Sequence, residues 1–283
     1  DRHMDWAVII CLVGGGQEIN TGEAGLRQWF QVLQADFPNW HVYISKQITD
    51  SEYLGQESPI NLLPQQQLTV NDDLHLAVSV RSFRSEKVSA LIKSILDGDL
   101  KTSQELCRFI TPHYPIVLTR DLESARNWVR QQARGSERTG LLASSGARRL
   151  RPEGIFVDAE IEVAHWFLNG REDVRSSYAL EGVATEFDIQ GLELDWTVVG
   201  WDGDLRYLKG RWEYRAFKGT RWQAVNDLNR QLYLKNSYRV LLTRARQGMV
   251  IFVPKGDQTD ITRLPEFYDG TFEYLRQVGL TVI

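Results

Sequence analysis

Continuous apolar runs separated by amphipathic stretches set the pattern of this 283-residue chain. Residues 5–13 form the first run, which predicts a central parallel strand buried on both faces. Gly14, Gly15 and Gly16 end it, and a tight turn at a strand end is reason enough for glycine there. Residues 23–35 place Leu26, Phe30 and Leu33 on one side and predict a helix. A short strand is expected over 40–44. A loop is expected over the polar stretch 56–67, which holds Pro59 and Pro64. Residues 74–80 predict a strand and 85–96 a helix.

From Pro115 the alternation becomes regular. Strands are predicted over 115–119, 139–143, 196–201 and 248–254, and helices over 122–132 and 265–278. A short helical piece starts at Ala147, and 153–167 fits strand and helix equally. Strands alternating with helices predict an α/β fold with a mainly parallel sheet flanked by helices. A boundary is expected near 76–85.

Composition narrows the picture by exclusion. Apolar content of 42% and charged content of 25% are those of an ordinary globular protein. A formal charge of -4 gives no global basic field, so any nucleic acid must meet a local patch. The two cysteines, Cys11 and Cys107, are far apart, and Cys11 sits inside an apolar run where plain core is expected. No disulfide framework follows, and the longest apolar run is too short to span a bilayer. The expectation is a cytoplasmic protein with no membrane partner. The five histidines lack metal-ligand spacing.

Two runs carry the chemistry. The first, from Thr185 through Gln190, Gly191 and Glu193 into 194–199, has the form T-x-x-x-x-(Q/K)-G-x-E before a buried strand. The second, Val240-Leu241-Leu242-Thr243-Arg244-Ala245-Arg246 before 248–253, has the form (V/A)-L-T-R-A-(R/K). In this order they resemble motifs V and VI of superfamily 1 helicase motors. Upstream, Gly14 to Gln17 resembles motif III, one residue short of the common spacing, and Arg81-Ser82-Phe83-Arg84 resembles motif IV. The wording of the runs is most similar to a bacterial helicase-like ATPase family related to the helicase half of the Schlafen proteins. Some members of that family resemble fusions with a nuclease domain.

The resemblance implies a RecA-like fold and hydrolysis of ATP with Mg2+, coupled to single-stranded DNA or RNA. Arg244 is then the arginine finger: a cation from the far side of the nucleotide that stabilises charge on the transferring phosphoryl group. Gln17 senses the terminal phosphate, and Arg81 reaches it from motif IV, with Arg84 as its rival. Gln190, Gly191, Glu193 and Arg246 line the nucleotide, and Thr185 meets the nucleic acid. No G-x-x-x-x-G-K-(S/T) phosphate loop and no D-E-x-x motif occurs in the chain. In the family these lie upstream of motif III. The chain is therefore expected to be the C-terminal part of a longer protein whose N-terminal ATP-binding segment is missing here. Residues 1–80 would be the edge of a first RecA-like domain and 81–283 a second one.

Other features have simpler explanations beside the functional ones. Arg126, Arg130 and Arg134 share one helix face, where solvation or ion pairing is the usual role. Asp158, Glu160 and Glu162 would share a face only in a strand, and Asp202 and Asp204 follow a predicted strand as loop residues. Residues 206–222 interleave cations with aromatics, including Arg211, Trp212, Arg215 and Lys218. That composition suits phosphates and stacked bases. It suits equally a hairpin with an aromatic inner face and a basic outer one. A non-catalytic module that grips nucleic acid or a partner through the same fold is the alternative function.

Overall fold

The computed structural model describes residues 6–12, 19, 26–46, 63–75 and 83–283. Two compact units emerge: residues 1–18 with 22–76, and residues 19–21 with 77–283. In the first, α1 (Leu26–Asp36) accompanies two short parallel strands, β1 (Val42–Ile44) and β2 (Leu68–Val70). Phe30, Ile44 and Leu63 form its small core, and Gln67 Nε2 donates to the Phe37 carbonyl at 2.9 Å.

The apolar run near the start behaves differently from the expected buried strand. Residues 6–12 carry no regular structure, and Trp6, Ile9, Ile10 and Leu12 are exposed, as is Cys11. Hydrophobicity qualifies a segment for a sheet, but a strand exists only when neighbours satisfy its amides. Among the described residues no strand pairs with this run. The glycine triplet and 76–80 lie outside the described residues. Leu74 ends a 3-10 turn rather than opening a strand.

The second unit contains α2 (Phe83–Asp97) and α3 (Leu100–Ile110), followed by β3 (Ile116–Thr119), α4 (Leu122–Gln132) and β4 (Thr139–Ala143). Next come α5 (Val163–Leu168), β5 (Val183–Ala184), α6 (Glu186–Ile189) and β6 (Leu194–Gly200). A meander of β7 (Leu205–Leu208), β8 (Arg211–Lys218) and β9 (Arg221–Ala224) precedes α7 (Leu228–Leu242) and β10 (Ala245–Phe252). The chain closes with α8 (Glu266–Val278) and β11 (Thr281–Val282).

Six strands form one sheet in the order β11-β3-β10-β6-β4-β5, and every neighbouring pair is parallel. Alternate residues of each strand feed opposite faces. Ile116, Leu118, Met249 and Ile251 join α2, α3, α7 and α8 on one side. Val117, Leu141, Val198 and Val250 join Leu122, Ala125 and Val129 of α4 on the other. Both faces are covered, which is why the strands read as continuous apolar runs rather than alternating ones. Among the described residues no helix is long and apolar enough to cross a membrane.

The meander is the part least visible in periodicity. Lys209 and Gly210 both take positive φ, 51° and 81°, and so make the tight two-residue turn that matches strand twist between β7 and β8. Asp158, Glu160 and Glu162 fall in exposed irregular chain before α5, not on a strand, so they share no common face.

Candidate functional site

β6 and β10 are parallel neighbours, and their register pairs Leu194 with Ala245. The two motif runs therefore end side by side at the starts of adjacent strands. Leu194 N donates to the Arg244 carbonyl at 2.9 Å, which joins the segment after Glu193 to the arginine itself. The Tyr114 hydroxyl, buried before β3, donates to the Ala245 carbonyl at 3.0 Å and holds the next peptide.

Arg244 follows the C-cap of α7 and is 1% exposed. Its Nε donates to the Val240 carbonyl at 3.1 Å and its Nη2 to the Thr243 hydroxyl at 3.4 Å. A guanidinium at the negative end of a helix is electrostatically comfortable, so the capping role coexists with any role toward a ligand. Arg246, one residue into β10, is mostly exposed and lies 3.9 Å from Asp195. Gln190 and Gly191 are exposed between α6 and β6, and Gly191 takes a φ of 85° that favours glycine. Glu193 is half-buried. Thr185 caps α6: its amide and hydroxyl both donate to Asp188, at 2.8 and 2.7 Å.

Gln17 and Arg81 lie outside the described residues. Arg84 falls on the first turn of α2. The structure thus sets the segment just after Glu193 beside Arg244 and Arg246. It places Arg211, Trp212, Arg215 and Lys218 on the separate antiparallel sheet, all on β8.

In that sheet the aromatics are engaged. The Trp212 indole donates to the Ile95 carbonyl at 3.0 Å and stacks on Trp201 with ring centres 5.4 Å apart. The Trp222 indole donates to the Thr262 carbonyl at 2.8 Å, and Arg206 lies over its ring. Arg215 pairs with Glu213 at 2.6 Å, whereas Arg211 and Lys218 are exposed at the strand ends. On α4, Arg126 and Arg130 pair with Glu123, and Arg126 also pairs with Glu181.

Beyond β6, Asp202 and Asp204, expected as loop residues, belong to a buried polar cluster. Asp202 and Asp204 are both 1% exposed. Asp202 accepts from the amides of Gly203 and Arg149 and from the Tyr268 hydroxyl. Burial raises its pKa. Asp204 accepts from the hydroxyls of Tyr238 and Ser144; burial, then the nearby Asp202 charge, pushes its pKa up to about 7. Arg206, itself buried, is lowered to about 10 by desolvation. The one available signal was two aspartates directly after a buried strand. Nothing in the sequence announced the tyrosines, which come from α7 and α8.

The six-stranded parallel sheet flanked by helices is that of a RecA-like α/β protein. A family model described as Schlafen group 3, DNA/RNA helicase domain, matches residues 1–255, and the chain belongs to that family. No curated protein and no solved structure matched it. A helicase-like family implies use of a nucleotide with a metal ion and contact with nucleic acid. Among the described residues no group of three or more His, Cys, Asp or Glu is placed to hold a metal ion.

Proposed function

We propose that this chain supplies motifs III to VI of a superfamily 1 helicase-like ATPase acting on single-stranded DNA or RNA. In this reading 1–80 belongs to the edge of a first RecA-like domain and 81–283 to the second. Arg244 provides the cation that offsets charge on the transferring phosphoryl group. Gln190, Gly191, Glu193 and Arg246 line the nucleotide beside it. Gln17 and Arg81, or Arg84, face the terminal phosphate, and Thr185 lies on the nucleic-acid side. Exposed Arg211 and Lys218 contact nucleic-acid phosphates, with Arg215. Hydrolysis also needs a phosphate loop and metal carboxylates, whose usual motifs this sequence does not carry.

The observation that carries this reading is the pairing of the two motif runs through parallel neighbours β6 and β10. A buried arginine at the head of a strand is rigid enough to be aimed. Hydrolysis kinetics of the intact protein test it. Arg244→Ala should leave nucleotide affinity nearly unchanged and slow turnover by about 10³-fold or more, with Arg244→Lys rescuing only in part because lysine lacks the planar fork. Turnover near the wild-type rate at saturating ATP and nucleic acid would make Arg244 structural. The second reading is a non-catalytic module with the same fold. It is favoured by the absence of a phosphate-loop sequence and, among the described residues, of a metal-holding group. An intact protein that binds nucleic acid but never hydrolyses ATP would establish it.

A further inference from the structure

The buried cluster beyond β6 reaches the candidate site through two routes. Asp204 Oδ1 accepts the Tyr238 hydroxyl at 2.5 Å. Its Oδ2 accepts the Ser144 hydroxyl at 2.8 Å. A Cβ at Gly146 would come within 2.9 Å of that same oxygen, so the turn after β4 is shaped to admit the carboxylate. The Asp202 amide donates to the Tyr238 oxygen at 3.2 Å, and the Tyr238 ring lies on Trp201 with centres 4.5 Å apart. Both of these hydrogen bonds join the hydroxyl to the loop that leaves β6.

Tyr238 belongs to the last turns of α7, two residues before Val240, whose carbonyl receives Arg244 Nε. A helix is stiff over that distance, so fixing Tyr238 fixes the rotation of the helix end and the start of the Arg244 side chain. The second route runs through the neighbouring serine. Ser145 donates its amide and its hydroxyl to Glu186, at 2.8 and 2.7 Å. Glu186 opens α6, which leads into Gln190 and Glu193. Ser144 and Ser145 thereby divide their bonds between the Arg244 side and the Glu193 side of one site.

We infer that Asp204 and Tyr238 form a buried latch that positions Arg244, so that Tyr238 is a positioning residue for phosphoryl transfer rather than only a core tyrosine. The inference rests on the reading of Arg244 as the phosphate-facing cation. Only chemistry in the same chain is involved: the latch moves no proton to substrate and touches no nucleotide.

The test is ATP hydrolysis by the intact protein carrying Tyr238→Phe, which removes one hydroxyl and keeps the ring. Turnover should fall about three- to ten-fold, with KM for ATP within two-fold. Asp204→Asn combined with Tyr238→Phe should be less than additive, because both changes act on the bond that Tyr238 and Asp204 share. In an Arg244→Ala background, followed by single turnover, Tyr238→Phe should have no further effect. A tyrosine that merely supports the fold would lower the melting temperature without this split between kcat and KM. Should Tyr238→Phe fail to fold, Ser144→Ala removes the other hydroxyl from Asp204, with the same expected split. If Arg244→Ala abolishes turnover while the latch variants hydrolyse ATP at the normal rate, the latch is overturned and the motor reading survives. An equal further loss from Tyr238→Phe in the Arg244→Ala background also overturns it. Normal turnover by Arg244→Ala itself removes the motor reading first.

Discussion

Asp204 shows how one residue's surroundings decide its chemistry. An exposed aspartate stays ionised at neutral pH, whereas this one is held near a pKa of about 7, first by burial and then by Asp202. Glu186 adds to the rise, and hydrogen bonds from Tyr238 and Ser144 oppose it. Its folded pKa lies above the unfolded value, so the stability linked to its proton is complete below pH 4. It is lost as pH rises toward 7. Thermal melts of wild type and Asp204→Asn across pH 4.5–8 should therefore diverge. Wild type should lose stability relative to the amide variant, with a limiting slope of about 1.4 kcal/mol per pH unit from this group. Parallel curves would mean that Asp204 keeps its charge throughout.

Among the elements, the meander and the β6–β10 pair make different demands on their residues. The meander turns an alternating sequence into a sheet whose aromatics are spent on packing: Trp212 against Trp201, Tyr207 and Tyr274. Trp212→Ala is expected to destabilise by about 3–5 kcal/mol, through the cavity it leaves. It should leave the salt dependence of single-strand binding unchanged. Replacing Arg211, Arg215 and Lys218 together by alanine should do the converse. Each lost phosphate contact removes about 0.7 from the log–log salt slope. Binding titrations at several salt concentrations beside thermal melts separate the two, and an unchanged slope in the triple variant would exclude β8 as a nucleic-acid surface. The β6–β10 pair needs no such test of its face, since its role is to set two loops at one edge.

For the whole molecule, the expectation is that this 283-residue chain by itself does not turn over ATP. A cation can stabilise developing charge, but it cannot replace the backbone cradle and the metal that hold the phosphates. Phosphate release measured on the purified chain, with magnesium and single-stranded DNA or RNA present, should stay at background. Sustained release abolished by Arg244→Ala would show that the chain holds a complete site. Sustained release that Arg244→Ala leaves unchanged would point to a contaminant.

Much of this was legible from residue order alone. The strands expected over 115–119, 139–143 and 196–201 and the helices over 122–132 and 265–278 are present to within two residues at each end, because apolar runs and 3.6-residue periodicity report which faces are hidden. The motif runs and their order were equally legible, since each is a short local string. Sequence could not decide which strands are neighbours. Only the parallel pairing of β6 with β10 sets Leu194 beside Ala245, fifty-odd positions apart in the chain but joined in one register. Nor could it show that Asp202 and Asp204 are buried among tyrosines from α7 and α8, or that Trp212 faces inward. The apolar run 6–12 makes the same point in reverse: its composition promised a buried strand, yet it lies exposed. Local strings encode propensity and chemistry. Pairing, burial and the pKa shifts that follow from burial are properties of the neighbours, and distant segments become neighbours only in the folded chain.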